Sequence, residues 1–234
     1  MSGVDERGGP QKPDPVAGAG LGAAGDARAP VAGLLLAEVG PFLARLTRLE
    51  PAALVRLRPG HGATVTLWGR VPWQVLVGRT VGGTAAEDLT VPAAALLDRL
   101  SAGRADLPGR RDGDWRWPVP PAAGEAVESV PSAELVRLGE AAAETLRSTR
   151  GRVGERVLRD ALLDHVAIAV DTGGGVPVEV RQGLVQAVLR MGFVTTEDSG
   201  ETTIRVVGNW VGLATRYGEA WQQTRANLAV HIVR

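Results

Sequence analysis

The sequence predicts an α+β protein: two small subdomains, each mixing helices with antiparallel strands, behind a disordered N-terminal leader. Three observations carry this. Period-2 and helical hydrophobic patterns alternate within each half of the chain. A Pro, Gly and Asp-rich stretch over 104–124 separates those halves. With 234 residues at 44% hydrophobic, the chain is long and apolar enough to bury a sizeable core.

The leader, 1–30, holds seven Gly and four Pro without an apolar signal core. A helix is expected across 31–49, where Leu35, Val39, Phe42, Leu43 and Leu46 recur near helical spacing and Pro41 bends or restarts it. Segments 53–58 and 63–71 flank Pro59-Gly60-His61-Gly62 and make a hairpin. In its second strand Val65, Leu67 and Val71 share one face, and Thr64, Thr66, Trp68 and Arg70 the other. A third strand runs from Trp73 to Val81, with Leu76 on the second face. Asp88-Leu89-Thr90-Val91-Pro92 then passes into a helix over 93–100, because Pro suits a helix start. This completes the first subdomain, 31–103.

The linker, 104–124, contains a short expected strand at 115–119. The second subdomain, 125–221, opens on Val130-Pro131-Ser132-Ala133-Glu134-Leu135-Val136. That run echoes Val91-Pro92-Ala93-Ala94-Ala95-Leu96-Leu97, as a duplication or the chance recurrence of a Pro-led helix start would produce. Helices are expected over 131–147, 152–169 and 180–191, with Gly192 as the stop. Strands at 193–196 and 202–207 flank Glu197-Asp198-Ser199-Gly200, a hairpin composition. Segment 210–221 is strand or helix, and 222–234 is an unpatterned tail.

Composition excludes several function classes. Cysteine is absent, so disulfides, thiolate metal sites and cysteine nucleophiles are ruled out. The 26 basic and 26 acidic side chains balance, which removes the global electrostatic case for a nucleic-acid or anionic-membrane binder. Lys12 is the one lysine, and the Arg, Ala and Gly bias reads as codon pressure in a GC-rich bacterial genome. No stretch approaches the ~20 apolar residues of a spanning helix, and a cytoplasmic location is expected.

No reaction centre assembles from the sequence. Asp171-Thr172-Gly173-Gly174-Gly175 lacks the Lys and hydroxyl of a phosphate loop and reads as a turn. His61, His165 and His231 are scattered. Asp160, Asp164 and His165 are the one conceivable metal or acid/base corner, though a His beside an Asp is ordinarily a surface pair. Catalytic residues, metal and cofactor are therefore all expected to be none. The unusual feature is six Trp against two Phe and one Tyr. Trp68 and Trp73 flank the end of one strand, while Trp115, Arg116 and Trp117 sit in the linker. Trp and Arg are favoured binding anchors, so these five are the expected protein-binding residues, unless the indoles merely fill the core.

From about Phe42 to Ser101, the order helix, hairpin, third strand and Leu89-Thr90-Val91-Pro92-Ala93 opening a helix resembles part of a DNA sliding-clamp domain. Bacterial clamps carry a similar junction, and a full clamp subunit holds three such domains and forms a ring. From Arg152 to Val207, the order helix, glycine loop, helix, hairpin resembles a winged-helix domain. That likeness implies a recognition helix over 180–191, with Arg181, Gln182, Gln186, Arg190 and wing residue Arg205 as DNA contacts. Against it, 151–217 holds seven Arg and eight Asp or Glu. The expected function is thus a non-enzymatic interaction module, an adaptor or accessory subunit that binds a protein partner through Trp and Arg surfaces. A DNA-associated regulator is the alternative.

Overall fold

A computed structural model describes residues 31–121, 124–149, 154–173, 175–197 and 199–224. The leader and the last ten residues lie outside them. The elements in order are β1 (Val31–Ala32), α1 (Leu36–Leu49), β2 (Leu54–Pro59), β3 (Thr64–Val71), β4 (Val75–Gly82), β5 (Thr84–Ala85), β6 (Leu89–Pro92) and α2 (Ala93–Ser101). They continue as β7 (Glu125–Pro131), α3 (Ser132–Ser148), α4 (Glu155–Asp164), β8 (Val166–Val170), β9 (Val178–Arg181), α5 (Gln182–Arg190), β10 (Glu201–Val207), β11 (Trp210–Thr215) and β12 (Gly218–Gln223). The α+β class holds.

Eight strands form one antiparallel sheet in the order β6-β2-β3-β4-β12-β11-β10-β7, four from each half of the chain. The halves meet where β4 pairs with β12, in the register Leu76↔Trp221 and Val77↔Ala220. The two sides of that seam repeat each other. Each has a three-strand meander, β2-β3-β4 or β10-β11-β12, with a helix before it (α1 or α5) and an outer strand followed by a helix (β6-α2 or β7-α3). The chain visits these parts in permuted order. The two Val-Pro echoes fall on equivalent junctions, β6 to α2 and β7 to α3.

Those junctions also close the sheet's edges. Ala93 and Ser132 donate their N–H inward to Ala53 and Gly200 carbonyls, so by strand alternation positions 90, 92, 129 and 131 face outward. The Thr90 N–H is capped by Asp112 Oδ1 at 2.6 Å and the Ser129 N–H by Glu128 Oε1 at 2.9 Å. Positions 92 and 131 are Pro, which has no N–H to offer. An open edge would template pairing with another chain, and this double blunting withdraws N–H donors from both edges.

The helices pack on one face. Val65, Leu67, Val71, Val75, Val77, Leu213 and Ala220 are buried there beneath Phe42, Leu43 and Leu46 of α1 and Leu184, Val185 and Val188 of α5. Period-2 alternation sends Trp68 and Leu76, with Trp210 and Trp221, to the other face as a second, smaller cluster. The face assignment read from the sequence for β3, and for Leu76, is therefore correct. Phe42 stacks on Phe193 with centroids 6.4 Å apart, joining α1 to the turn after α5 across the seam.

Several expected elements differ. The helix over 31–49 starts only at Leu36 and runs unbroken through Pro41. The helix over 152–169 ends at Asp164, and the β-branched run Val166–Val170 is strand. Val178–Arg181 is a strand that turns directly into α5, so the helix begins at Gln182; Gly192, at φ +64°, is its stop as expected. No strand forms at 193–196, where the Phe193 N–H closes the end of α5 on the Val188 carbonyl at 3.0 Å; the hairpin is β10–β11 across Gly208-Asn209. Residues 115–119 form no strand, and 210–221 resolves into two.

The winged-helix resemblance fails for the same reason. Strands β8 and β9 stand between α4 and α5 where a glycine loop alone was expected, and α5 lies on the sheet with Gln182 buried at 4% exposure. The Gln182 side chain donates to the Leu138 carbonyl at 3.4 Å, Arg181 donates to the Asp164 carbonyl, and Gln186 is half-buried. Arg205 belongs to β10, with one guanidinium nitrogen donating to the Gly124 carbonyl at 3.3 Å. Of the five expected DNA contacts only Arg190 is exposed.

Candidate functional site

The face of the sheet opposite α1 and α5 is the feature that residue chemistry singles out. Its floor is built from indole over glycine. Trp68 on β3 lies over Gly78 on β4, and a Cβ at Gly78 would come within 2.8 Å of the ring. Trp221 on β12 lies in the same way over Gly212 on β11, where a Cβ would overlap three ring atoms. Each glycine lets an indole lie flat across the neighbouring strand, so the aromatic cluster spans the seam.

Trp221 Nε1 donates to Glu219 Oε2 at 2.8 Å. Burial pushes the Glu219 carboxyl above its ordinary value, with this hydrogen bond and the Arg205 charge working against the rise. A carboxyl raised in the folded state holds its proton longer than in the unfolded chain. Stability is therefore lost as pH climbs from the ordinary glutamate range through the raised value. Glu219→Gln keeps the acceptor and removes the charge. Its unfolding midpoint is expected to exceed that of the parent at pH 7 and to match it at pH 4, as thermal melts at the two pH values would show.

A strap formed by residues 110–120 crosses this face. Its anchor is Asp112, which accepts from the Thr90 N–H and from Arg110 Nε at 2.7 Å, while Arg111 N donates to the Thr90 carbonyl at 2.8 Å. Desolvation works upward on the Asp112 carboxyl, but the hydrogen bonds from Arg110 and Thr90, with the Arg110 and Arg56 charges, outweigh it and hold the group below its ordinary range. Beyond the anchor, Trp115 Nε1 donates to the Trp117 carbonyl at 2.7 Å, and Trp115 and Val119 pack on the indole cluster.

Trp117 stands at the top of the strap, 39% exposed, with the Arg70 guanidinium 3.6 Å from its ring centroid. Arg70 comes from β3, on the polar face read from the sequence. Its Nε is buried with no hydrogen-bond partner among the described residues. Burial lowers its pKa, partly offset by the Glu50 charge. Three depressions meet at Trp117. One, about 250 Å³, runs between Arg70, Trp73, Trp210 and the α4–β9 corner. The second, about 260 Å³, lies between Arg70, Glu50 and Trp115. The third, about 530 Å³, lies between Arg56, Arg58, Arg116 and Trp117.

Trp73 and Gln74 both have positive φ, 71° and 60°, in the turn joining β3 to β4. A non-glycine residue there costs free energy, and such strain persists only where surroundings enforce it. Here Gln222 Nε2 donates to the Trp73 carbonyl at 3.1 Å, across the two halves.

The expected binding residues therefore divide. Trp73, Trp115, Arg116 and Trp117 gather around one surface, while Trp68 is a correction: at 7% exposure it is floor, because its ring fills the space left by Gly78. Arg70 was missed as a site residue, since its stacking partner is remote in sequence. Asp160 and Asp164 line the first depression, but His165 does not. Among the described residues no three His, Asp or Glu side chains are grouped to hold a metal ion. No helix among them is long and apolar enough to cross a membrane.

Two family models match the chain, each a domain of unknown function: DUF8010 over residues 35–117 and DUF8185 over 119–227. They divide it at the strap. No curated protein matches it significantly. Among solved structures it is similar to DNA polymerase III beta subunits, the sliding clamps. That of Bartonella birtlesii has a TM-score of 0.54 at 13% identity, with 82% of this chain and 64% of that one covered. That of Pseudomonas aeruginosa has a TM-score of 0.53 at 16% identity, with the same coverage. That of Thermotoga maritima gives 0.52 at 13%, again covering 82% and 64%. The chain spans about 64% of the length of these subunits, and at such identities the likeness is one of fold. The fold is sliding-clamp-like, as the resemblance over residues 42–101 implied.

Proposed function

We propose that this chain is a non-catalytic bacterial interaction module, an adaptor or accessory subunit acting in the cytoplasm, that docks a protein partner on the strap surface. The observation that supports it most is Trp117: a large indole left exposed on the strap, with an arginine from the sheet beneath stacked on it and depressions around it. Aromatic and Arg anchors beside clefts are what interface hot spots are made of. Capture of partners from native lysate by the full chain and by the Trp115→Ala/Trp117→Ala variant tests this. The variant is expected to fold and to lose its partner; a folded variant that keeps the same partner contradicts the proposal.

Likeness to DNA polymerase III subunits favours a second reading, association with DNA. The five helices together carry eight Arg and eight Asp or Glu, so they present no net charge to phosphate. The chain is accordingly expected to pass through a duplex-DNA column at low salt, and salt-dependent retention would reinstate that reading.

A further inference from the structure

We propose that the strap surface recognises a carboxylate-bearing extended peptide, with Arg70 as the anchor and Arg116 as a second contact. This rests on the docking role given to the same surface above. The argument is one of uncommitted charge. Three acids around the depressions already have cations: Asp114 pairs with Arg111, Asp164 lies 3.7 Å from Arg181, and Asp88 is shared by Arg56 and Arg58. Glu50, in the second depression, acts on Arg70 through its charge but makes no ion pair with it among the described residues. Arg70 and Arg116 make no ion pair among the described residues.

Arg70 differs from an ordinary surface arginine. It is half-buried, with its guanidinium carbon 3.6 Å from the Trp117 ring centroid, and it forms part of the lining of the depressions on both sides of that indole. A partly desolvated guanidinium gains more from a carboxylate than a solvated one, because water has already been removed from it. The contact with Trp117 already restricts the side chain, so less freedom is lost on binding than for a free surface arginine.

The occupant is a peptide and not a nucleic acid because acids interrupt the basic groups. Asp160 lines the first depression and Glu50 the second. A continuous run of phosphates would meet both, whereas a peptide can place single carboxylates at Arg70 and Arg116 and apolar side chains against Trp73 and Trp115.

A random-peptide display selection on the immobilised full chain tests this, with Arg70→Gln and Arg116→Gln run in parallel and thermal melts confirming that all three are folded. Retained peptides are expected to be enriched in Asp and Glu. Synthetic versions should bind Arg70→Gln about tenfold more weakly, and Gln-for-Glu peptides should lose as much against the parent. Selection without acidic enrichment, no selection above background, preferential retention of an oligonucleotide, or equal binding by the variants overturns the inference. The underlying reading is separable. If Trp115→Ala/Trp117→Ala loses the lysate partner while no acidic preference appears, docking stands and carboxylate recognition falls. If that variant keeps its partner, both fall.

Discussion

Trp221→Ala is expected to lower the unfolding free energy by about 3–5 kcal/mol, read from urea denaturation of the full chain. The side chain is 1% exposed and fills the space over Gly212, so its removal leaves a cavity among Trp68, Leu76 and Trp210. The same change strips Glu219 of its indole donor while leaving the carboxylate in place. Trp117→Ala is the contrast. Its ring is exposed and gives up chiefly a cation–π contact with Arg70, so a loss below about 1 kcal/mol is expected. A similar loss at both positions would mean that the cluster is not the floor described.

Severing the chain at the strap is expected to have the second large effect. The family models divide it at residues 117 and 119, which suggests two modules, but β4 and β12 complete each other's hydrogen bonding at the centre of one sheet. Residues 31–118 alone would bare the β4 edge along with Val75 and Val77, which are 0% exposed in the whole chain. A bare apolar edge is an aggregation template. Each half on its own should therefore aggregate or lack a cooperative transition, whereas the full chain is expected to unfold in one step by circular dichroism and by tryptophan fluorescence alike. Two well-folded soluble halves would show that the seam is a contact between independent domains.

How much of this could be read in the sequence depends on the range of the interaction. Strand β3 and its two faces were legible, since Val65, Leu67 and Val71 alternate with Thr66, Trp68 and Arg70 and period 2 is a local signal. The Val-Pro junction was legible as a strand-to-helix switch for the same reason. Strand β9 was not: Val178–Arg181 abuts α5 with no breaker between them, and four residues cannot set one period apart from another. The β4–β12 seam left no trace, because pairing Leu76 with Trp221 depends on the folded meanders on either side.

The site divides along the same line. Trp115, Arg116 and Trp117 stood out because they are adjacent in a linker. Their meeting with Arg70 and Trp73 required the strap to fold back over the sheet, which the Asp112 to Thr90 N–H contact accomplishes. Trp68 misled for the opposite reason. Indole and arginine on the polar face of a strand look alike in sequence, and only the glycine on the next strand tells which lies flat.

Hydrogen exchange of the full chain, with and without the partner recovered from lysate, addresses the docking surface most directly. Partner binding is expected to slow exchange at residues 112–119 and in the turn at 72–74, leaving the outer faces of α1, α2 and α3 unchanged. Protection confined to those helices, with the strap exchanging as it does in the free chain, would contradict the account.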